Sequence, residues 1–480
     1  MSWAEAKWIV DSLRQSVGWA PSDMLEFTAE SINATTISLR LRTPEDTIIN
    51  GSLMCAVAGV RVCRSTTGYP TTPYEGDPTD IAMEAGSFIN LQQSGLTEDV
   101  EYYYTAFPFS DRGVYNTSAH SVNRASASPG AKVYGIRRNI TSTSPEWVRT
   151  HSAAGLNAMA SRGDVAGYSS FDNILPWSGI QRETLSTGDV MVKIPKFYYK
   201  RYREDDFEYI QIAAAAKPGF KVHPLFNHGD VEKDYAYVGA YNTSSGAKSV
   251  KSVAPEVSKT MLKFRTEAEA KGAGWGLMDI AAVSAIQMLI QVEYATNDVQ
   301  TAIGRGRSHM DSKVATGTCD TVINLTGITS SSDGTQGVVW RGIENFWSNV
   351  WEWVDGIWVN AGDWYVSNNP DDYDSYELSK YKRLGMYVNA GYNQKYITRT
   401  HLDAIYDHIQ IPVAYQPEEG SSSTYYCDAW WTGSTTDMLH LAHGGDWQGA
   451  FADGLFACEM RYNDVTARDN IGARLLYIPQ

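Results

Sequence analysis

Long apolar runs, blocks of positive charge and patterned cysteines are all missing from this 480-residue sequence. A membrane-spanning helix needs about 20 consecutive apolar residues. No stretch comes near that, so no membrane insertion is expected. Lys and Arg number 40 against 55 Asp and Glu, which leaves a net charge of −15. Such a chain repels a phosphate backbone, so nucleic acid is not an expected partner. The cysteines are Cys55, Cys63, Cys319, Cys427 and Cys458, an odd set without metal-like spacing. They predict buried free thiols, with no disulfide framework and no zinc site. The opening Met1-Ser2-Trp3-Ala4-Glu5 lacks the basic and apolar regions of a secretory leader, so synthesis and folding in a cytosol are expected.

What is present is aromatic. The chain carries 15 Trp and 29 Tyr, residues that offer large contact area at low entropic cost and so suit recognition surfaces as well as loop-rich cores. Apolar residues at 43% suffice for a packed interior, and the length suggests about three units.

Residues 1–20 read as an amphipathic helix. Ser2 and Glu5 form a capping box, and Ala6, Ile9, Val10, Leu13 and Val17 share a face before Gly18 ends it. A lone helix of this length must pack on something, and oligomerisation or docking into a larger assembly is one use for it. Residues 22–127 read as an all-β sandwich. Ile37, Leu39 and Leu41 alternate with polar neighbours, as do Tyr102, Tyr104 and Ala106, and Val57, Val60 and Val62 form a further apolar stretch. Leu96 stands six residues before Tyr102, which resembles the tyrosine-corner segment of fibronectin type III domains. That resemblance implies a spacer or adhesive module. Residues 128–132, with Ser128-Pro129-Gly130, are the linker candidate.

Residues 133–480 turn to mixed α+β. Val190–Tyr199 reads as a strand in which Pro195 demands an edge or a bulge. Asp279–Glu293 is the clearest helix, with Ile280, Val283, Ile286 and Ile290 on one face. Helix is scarce after about 315. The acidic loop Asn368–Asp374 lacks the glycine and distant glutamate of an EF-hand and reads as solvated.

Two segments carry most of the information. The first, Phe346-Trp347-Ser348-Asn349-Val350-Trp351-Glu352-Trp353, predicts a strand with indoles at 347, 351 and 353. The second runs from Gly444-Gly445-Asp446-Trp447 through Gly454-Leu455-Phe456-Ala457 to Asn470-Ile471-Gly472-Ala473-Arg474-Leu475. Arg474 on an apolar strand needs a buried carboxylate, and Glu352 is the expected partner. Asn-Val-Trp-Glu-Trp followed by Gly-Gly-x-Trp and Asn-Ile-Gly-x-Arg resembles the C-type-lectin-like fold of formylglycine-generating enzymes. The same fold serves the variable proteins of diversity-generating retroelements. The Asn-Ile-Gly-Ala-Arg-Leu ending resembles the phage variable proteins more than the enzymes. Lys-Ile-Pro-Lys-Phe-Tyr-Tyr at 193–199, Gly-Phe-Lys-Val-His-Pro-Leu-Phe at 219–226 and Glu-Tyr-Ala-Thr at 293–296 resemble phage tail proteins.

The resemblance implies a multidomain chain of N-terminal helix, fibronectin type III-like sandwich and α+β C-type-lectin-like domain. It implies a phage tail-tip receptor-binding protein, located in the virion and made in the host cytoplasm. The implied partners are a bacterial surface receptor, protein or glycan, and other tail or baseplate proteins, in a homotrimer. In this reading 425–475 is a variable region. Leu439, Leu441, Ala442, Gly444, Gly445, Trp447, Gly454, Leu455, Phe456, Ala457, Ile471, Gly472 and Arg474 form its scaffold. The positions between them, Tyr426, Asp428, Trp430, Trp431, Asp437, His440, Asp446, Gln448, Glu459, Arg461, Tyr462, Asp464 and Arg468, are expected to reach solvent and bind ligand. No catalytic residue, metal or cofactor is expected. The rival, a copper oxidase of the formylglycine-generating type, calls for two close cysteines after the Gly-Gly motif, and only Cys458 follows it. A purely structural tail component is the other alternative.

Overall fold

The structure is a computed structural model of the whole chain. It describes all residues except 1–17, 34, 99, 131, 229–230, 330–332, 374–376, 388–393, 414–418 and 434–437. The expected N-terminal helix therefore lies outside the described residues, apart from its last few positions. Strand outweighs helix, at 38% against 12%, and the strands form several separate sheets. The chain divides into two compact units, 1–131 and 132–480. No helix among the described residues is long and apolar enough to cross a membrane.

Among its described residues the first unit has nine strands: β1 Glu26–Asn33, β2 Thr36–Arg42, β3 Thr47–Ile49, β4 Ser52–Cys55, β5 Val57–Ser65, β6 Asp77–Ala82, β7 Phe88–Gln93, β8 Tyr102–Ser110 and β9 Arg124–Ala127. They pair as a three-stranded sheet, β1-β2-β7, and a four-stranded sheet, β6-β5-β8-β9, with β3 and β4 forming a hairpin apart. Period-two alternation places Phe27, Ile37, Leu39 and Leu41 of one sheet against Val60, Val62, Tyr104 and Ala106 of the other, in one apolar core. Before β8, Leu96 is buried and the Tyr102 hydroxyl accepts the Thr97 N–H at 2.9 Å, tying the corner to the strand it feeds. Ser128 donates to Glu101, and Gly130 N donates to Asn33 O at 2.8 Å, so the Ser-Pro-Gly stretch is held by this sandwich.

In the second unit the helix Ile280–Tyr294 forms as its pattern predicts. Asp279 caps it by accepting the Ala282 N–H at 2.8 Å, and left-handed Ala295 ends it. All fifteen of its residues are buried, so it is a central helix covered on every side and not only along its apolar stripe. The strand Val190–Pro195 stops at its proline, and Tyr198–Glu204 is a separate strand in another sheet. Trp351–Asn360 is the longest strand of the sheet it belongs to, and Trp347 lies in the turn ahead of it. That eight-stranded sheet runs in the order Lys382–Tyr387, Asp363–Val366, Trp351–Asn360, Leu439–His443, Cys458–Tyr462, Ala429–Thr432, Lys395–Tyr396, with Ile471–Gly472 pairing parallel to Trp351–Glu352. A second sheet takes Leu475–Tyr477 between Tyr235–Gly239 and Trp275–Leu277. In the acidic loop, Asn369 caps the turn Pro370–Asp372, and Ser367 donates to Asp372 at 2.6 Å.

The interior of this unit is threaded with ion pairs. Arg201–Glu208, Arg341–Glu293 and Lys271–Asp189 each have a fully buried carboxylate. The expected Arg474–Glu352 pair is present at 2.6 Å, with side chains 0% and 1% exposed. Arg474 also donates to the carbonyls of Gly239, Glu344 and Asn345, and Asn242 donates to Glu352. The guanidinium thus ties the tail of the chain to three other segments at once.

Candidate ligand-binding surface

The sheet formed by 429–432, 439–443 and 458–462 is covered on both faces. Trp430, Leu439, Leu441, Cys458 and Met460 pack into one core, and Ala442 and Ala457 join Trp351 and Trp353 in another. A strand covered on both sides cannot present every second residue to water. This corrects the expectation of solvent exposure for six positions, Tyr426, Asp428, Trp430, His440, Asp446 and Glu459, all of them buried. Tyr426 sits under Arg138, which donates to its hydroxyl at 2.9 Å, and edge-on to Phe456. Asp428 accepts the Phe456 N–H at 2.8 Å, and burial pushes its carboxyl well above the usual range. Trp430 is core. Burial holds the His440 imidazole down to about 4. Asp446 accepts from Gln448 N and Asn470 Nδ2, pinning two loops.

Glu459 is 2% exposed and holds Arg461, accepting from its main-chain N–H at 2.9 Å and from Nε at 2.8 Å. Burial raises the Glu459 carboxyl, while the guanidinium beside it pulls the other way. A bulge between Glu459 and Tyr462, where the register against Ala442 and His440 shifts, turns Arg461 and Tyr462 toward the surface.

Trp431, Arg461, Tyr462 and Asp464 are half-buried, and Gln448 and Arg468 are exposed. Ring contacts join part of this set. The Arg461 and Arg468 guanidinium carbons stand 5.8 and 5.0 Å from the Tyr462 ring centre. Trp431 meets Trp351 edge-on at 5.4 Å. Both Trp431 and Tyr462 rest on the apolar cluster that contains Trp351 and Trp353. The loop beyond is laced down, with Ser258 N donating to Arg468 O and Leu262 N reaching Asp464 O. Gln448 sits on a different loop, and no contact joins it to this patch among the described residues. Asp437 lies outside the described residues.

Residues 256–263 are neighbours that the sequence did not flag. Lys259 bridges Glu256 and Glu267 there, and Lys263 is exposed at the start of the helix Met261–Glu269. Nothing in the linear pattern links them to 461–468; only the fold does. An open cleft of about 490 Å³ lies elsewhere, lined by Lys200, Tyr202, Arg203, Gly219, Asp403 and Asp407. Its carboxylates are already engaged, Asp407 by Tyr199 and Lys221 and Asp403 by the Ile405 and Tyr406 N–H groups. No protein-family model matches the chain, and no curated protein matches its sequence.

Proposed function

We propose that this chain is a phage tail-tip receptor-binding protein that adheres to a bacterial surface molecule, protein or glycan, without catalysis. In this reading the second unit is a C-type-lectin-like frame and the first a fibronectin type III-like spacer. The three-plus-four strand order and the Tyr102–Thr97 hydrogen bond support the spacer assignment. The observation that carries the reading is the pairing of a fixed frame with a half-exposed arginine–tyrosine cluster. Arg474 and Glu352 lock the frame, and Arg461, Tyr462 and Arg468 lie together at its surface with Trp431 on the same apolar support. Rigid aromatics flanked by arginines are the residues that anchor recognition sites.

Diversification, if this surface is a variable one, is confined to the positions that reach solvent. Six of the interleaved positions are structural and cannot change freely. Several copies on a homotrimeric tip, assembled with other tail proteins in the virion, would multiply a weak single contact. The test is adsorption by particles carrying Arg461→Ala, Tyr462→Ala and Arg468→Ala together. Loss of adsorption with normal particle yield is expected. Unchanged adsorption favours a purely structural tail protein.

A further inference from the structure

The open cleft beside the strand Tyr198–Glu204 lies outside the arginine–tyrosine patch, and its charges do not balance. Lys221–Val222 pairs with that strand only through Tyr198 and Tyr199. From Lys200 onward the strand edge is unpaired among the described residues, and Lys200, Arg201, Tyr202 and Arg203 form one wall of the cleft. Gly219, residues 402–404 and Asp407 form the other. The space between is about 490 Å³, the size of a small-molecule site. The exposed acidic turn Glu204-Asp205-Asp206 is not among its walls.

The acids near the cleft are engaged within the protein. Glu208, wholly buried, meets three guanidiniums at once: Arg201 at 2.6 Å, Arg203 at 3.3 Å and Arg138 at 3.4 Å. Burial would raise its carboxyl, and the guanidiniums overcome that and hold it down to about 2. Asp407 takes Lys221 at 2.9 Å and the Tyr199 hydroxyl. Asp403 accepts the Ile405 and Tyr406 N–H groups.

One carboxylate among three arginines leaves positive charge in excess. Two cations bring it to the opening. Arg203 is exposed and spends only Nη2 on the protein, for Glu208 and for the Thr400 carbonyl at 3.1 Å. Its Nε and Nη1 have no partner among the described residues. The Lys200 ammonium makes no ion pair or hydrogen bond among the described residues. It stands 4.5 Å from the Tyr202 ring centre, and Tyr202 is stacked on Tyr209 at 4.7 Å. The paired rings hold the ammonium beside the cleft without neutralising it. The positive field reaches further: burial, then Lys200 and Lys217, keep the His151 imidazole below its usual value.

We propose that this cleft binds the phosphate or carboxylate group of a small ligand, with the free side of the Arg203 fork on its oxygens and the Lys200 ammonium beside it. A guanidinium presents paired N–H donors that match two oxygens of either group, and an ammonium adds a point charge. The surroundings select against a long polyanion. The chain carries a net charge of −15, and the acidic turn 204–206 follows directly after Arg203, so a compact anion is the one that fits.

Saturation-transfer NMR on the full chain at physiological salt tests this, with sn-glycerol 3-phosphate, glucuronate and glucose as separate probes. Transfer to glycerol phosphate, to glucuronate or to both is expected, and none to glucose. Which anion responds tells whether the site takes phosphate or carboxylate. Lys200→Gln with Arg203→Gln should weaken anion binding at least roughly tenfold. The chain with Ala at 461, 462 and 468 should bind as the wild type does. If the double variant does not fold, Lys200→Glu serves instead, because the Lys200 side chain holds no partner in an ion pair. It reverses the charge at the opening and should abolish transfer. The proposal is overturned by silence from both anions with the wild type, by an equal response from glucose, or by anion binding that survives in the Lys200 variants. Loss of anion binding in the 461, 462 and 468 variant would place the anion on the other patch and overturn it as well.

Discussion

Two glutamate–arginine pairs stand on the same eight-stranded sheet, one through Glu352 and one through Glu459. Arg474 is wholly buried against Glu352 and gives its remaining hydrogens to the main chain of two other segments, at Gly239 and at Glu344–Asn345. Arg461 is 31% exposed; it takes its carboxylate from below and turns its outer face toward Tyr462 and solvent. The chemistry is the same in both, and burial separates their roles. A buried pair organises the frame, because either charge left alone there is intolerable. A pair with one buried and one half-exposed member holds a guanidinium in a fixed pose where a ligand could meet it.

Breaking the first pair should have the largest effect. Arg474→Met leaves Glu352 buried without a counter-charge and should cost about 3–5 kcal/mol, measured by denaturant unfolding. Replacing both partners, Glu352→Gln with Arg474→Met, should recover part of that loss, because no lone charge remains. A cost for the single variant no larger than that of a surface substitution would erase the distinction drawn here.

The next effect is set by pH. Burial holds His443 and His440 down to about 4, and His408 to about 3. An unfolded imidazole takes its proton near 6.5. Between those values the unfolded state binds more protons than the folded one, so acid favours unfolding. These rings contribute a fall in the thermal midpoint as pH drops from about 6.5 toward 4, while the raised carboxyls of Asp428, Glu344 and Glu459 act in the opposite direction. His443→Asn should therefore lose less stability than the wild type over this range, and an identical pH profile for the two would contradict the neutral, buried state of that ring. Smallest for stability is Arg461→Met, which should cost about 1–2 kcal/mol because water can reach Glu459 through the opening. Its effect on adhesion should be far larger than on the midpoint.

The framework was legible in the sequence where a local rule had a single outcome. The stripe of Ile280, Val283, Ile286 and Ile290 made the expected helix, the Tyr102 hydroxyl met the main chain just upstream near Leu96, and Arg474 on an apolar strand found Glu352. The binding surface was much less legible. Alternation along 426–462 suggests one covered face and one free face, but this sheet carries a core on each side. Asp428 and Glu459 read as solvent charges for that reason, although one supports a loop and the other an arginine. The bulge that turns Arg461 and Tyr462 outward has no signature in the residue types, and the neighbouring 256–263 segment is brought near only by tertiary folding.

The most direct measurement is competition. Purified wild-type chain, added to host cells before the phage, should block adsorption in a dose-dependent way. A chain with Ala at 461, 462 and 468 and an unchanged thermal midpoint should not. Equal blocking by the two chains would place recognition outside this arginine–tyrosine cluster and contradict the account.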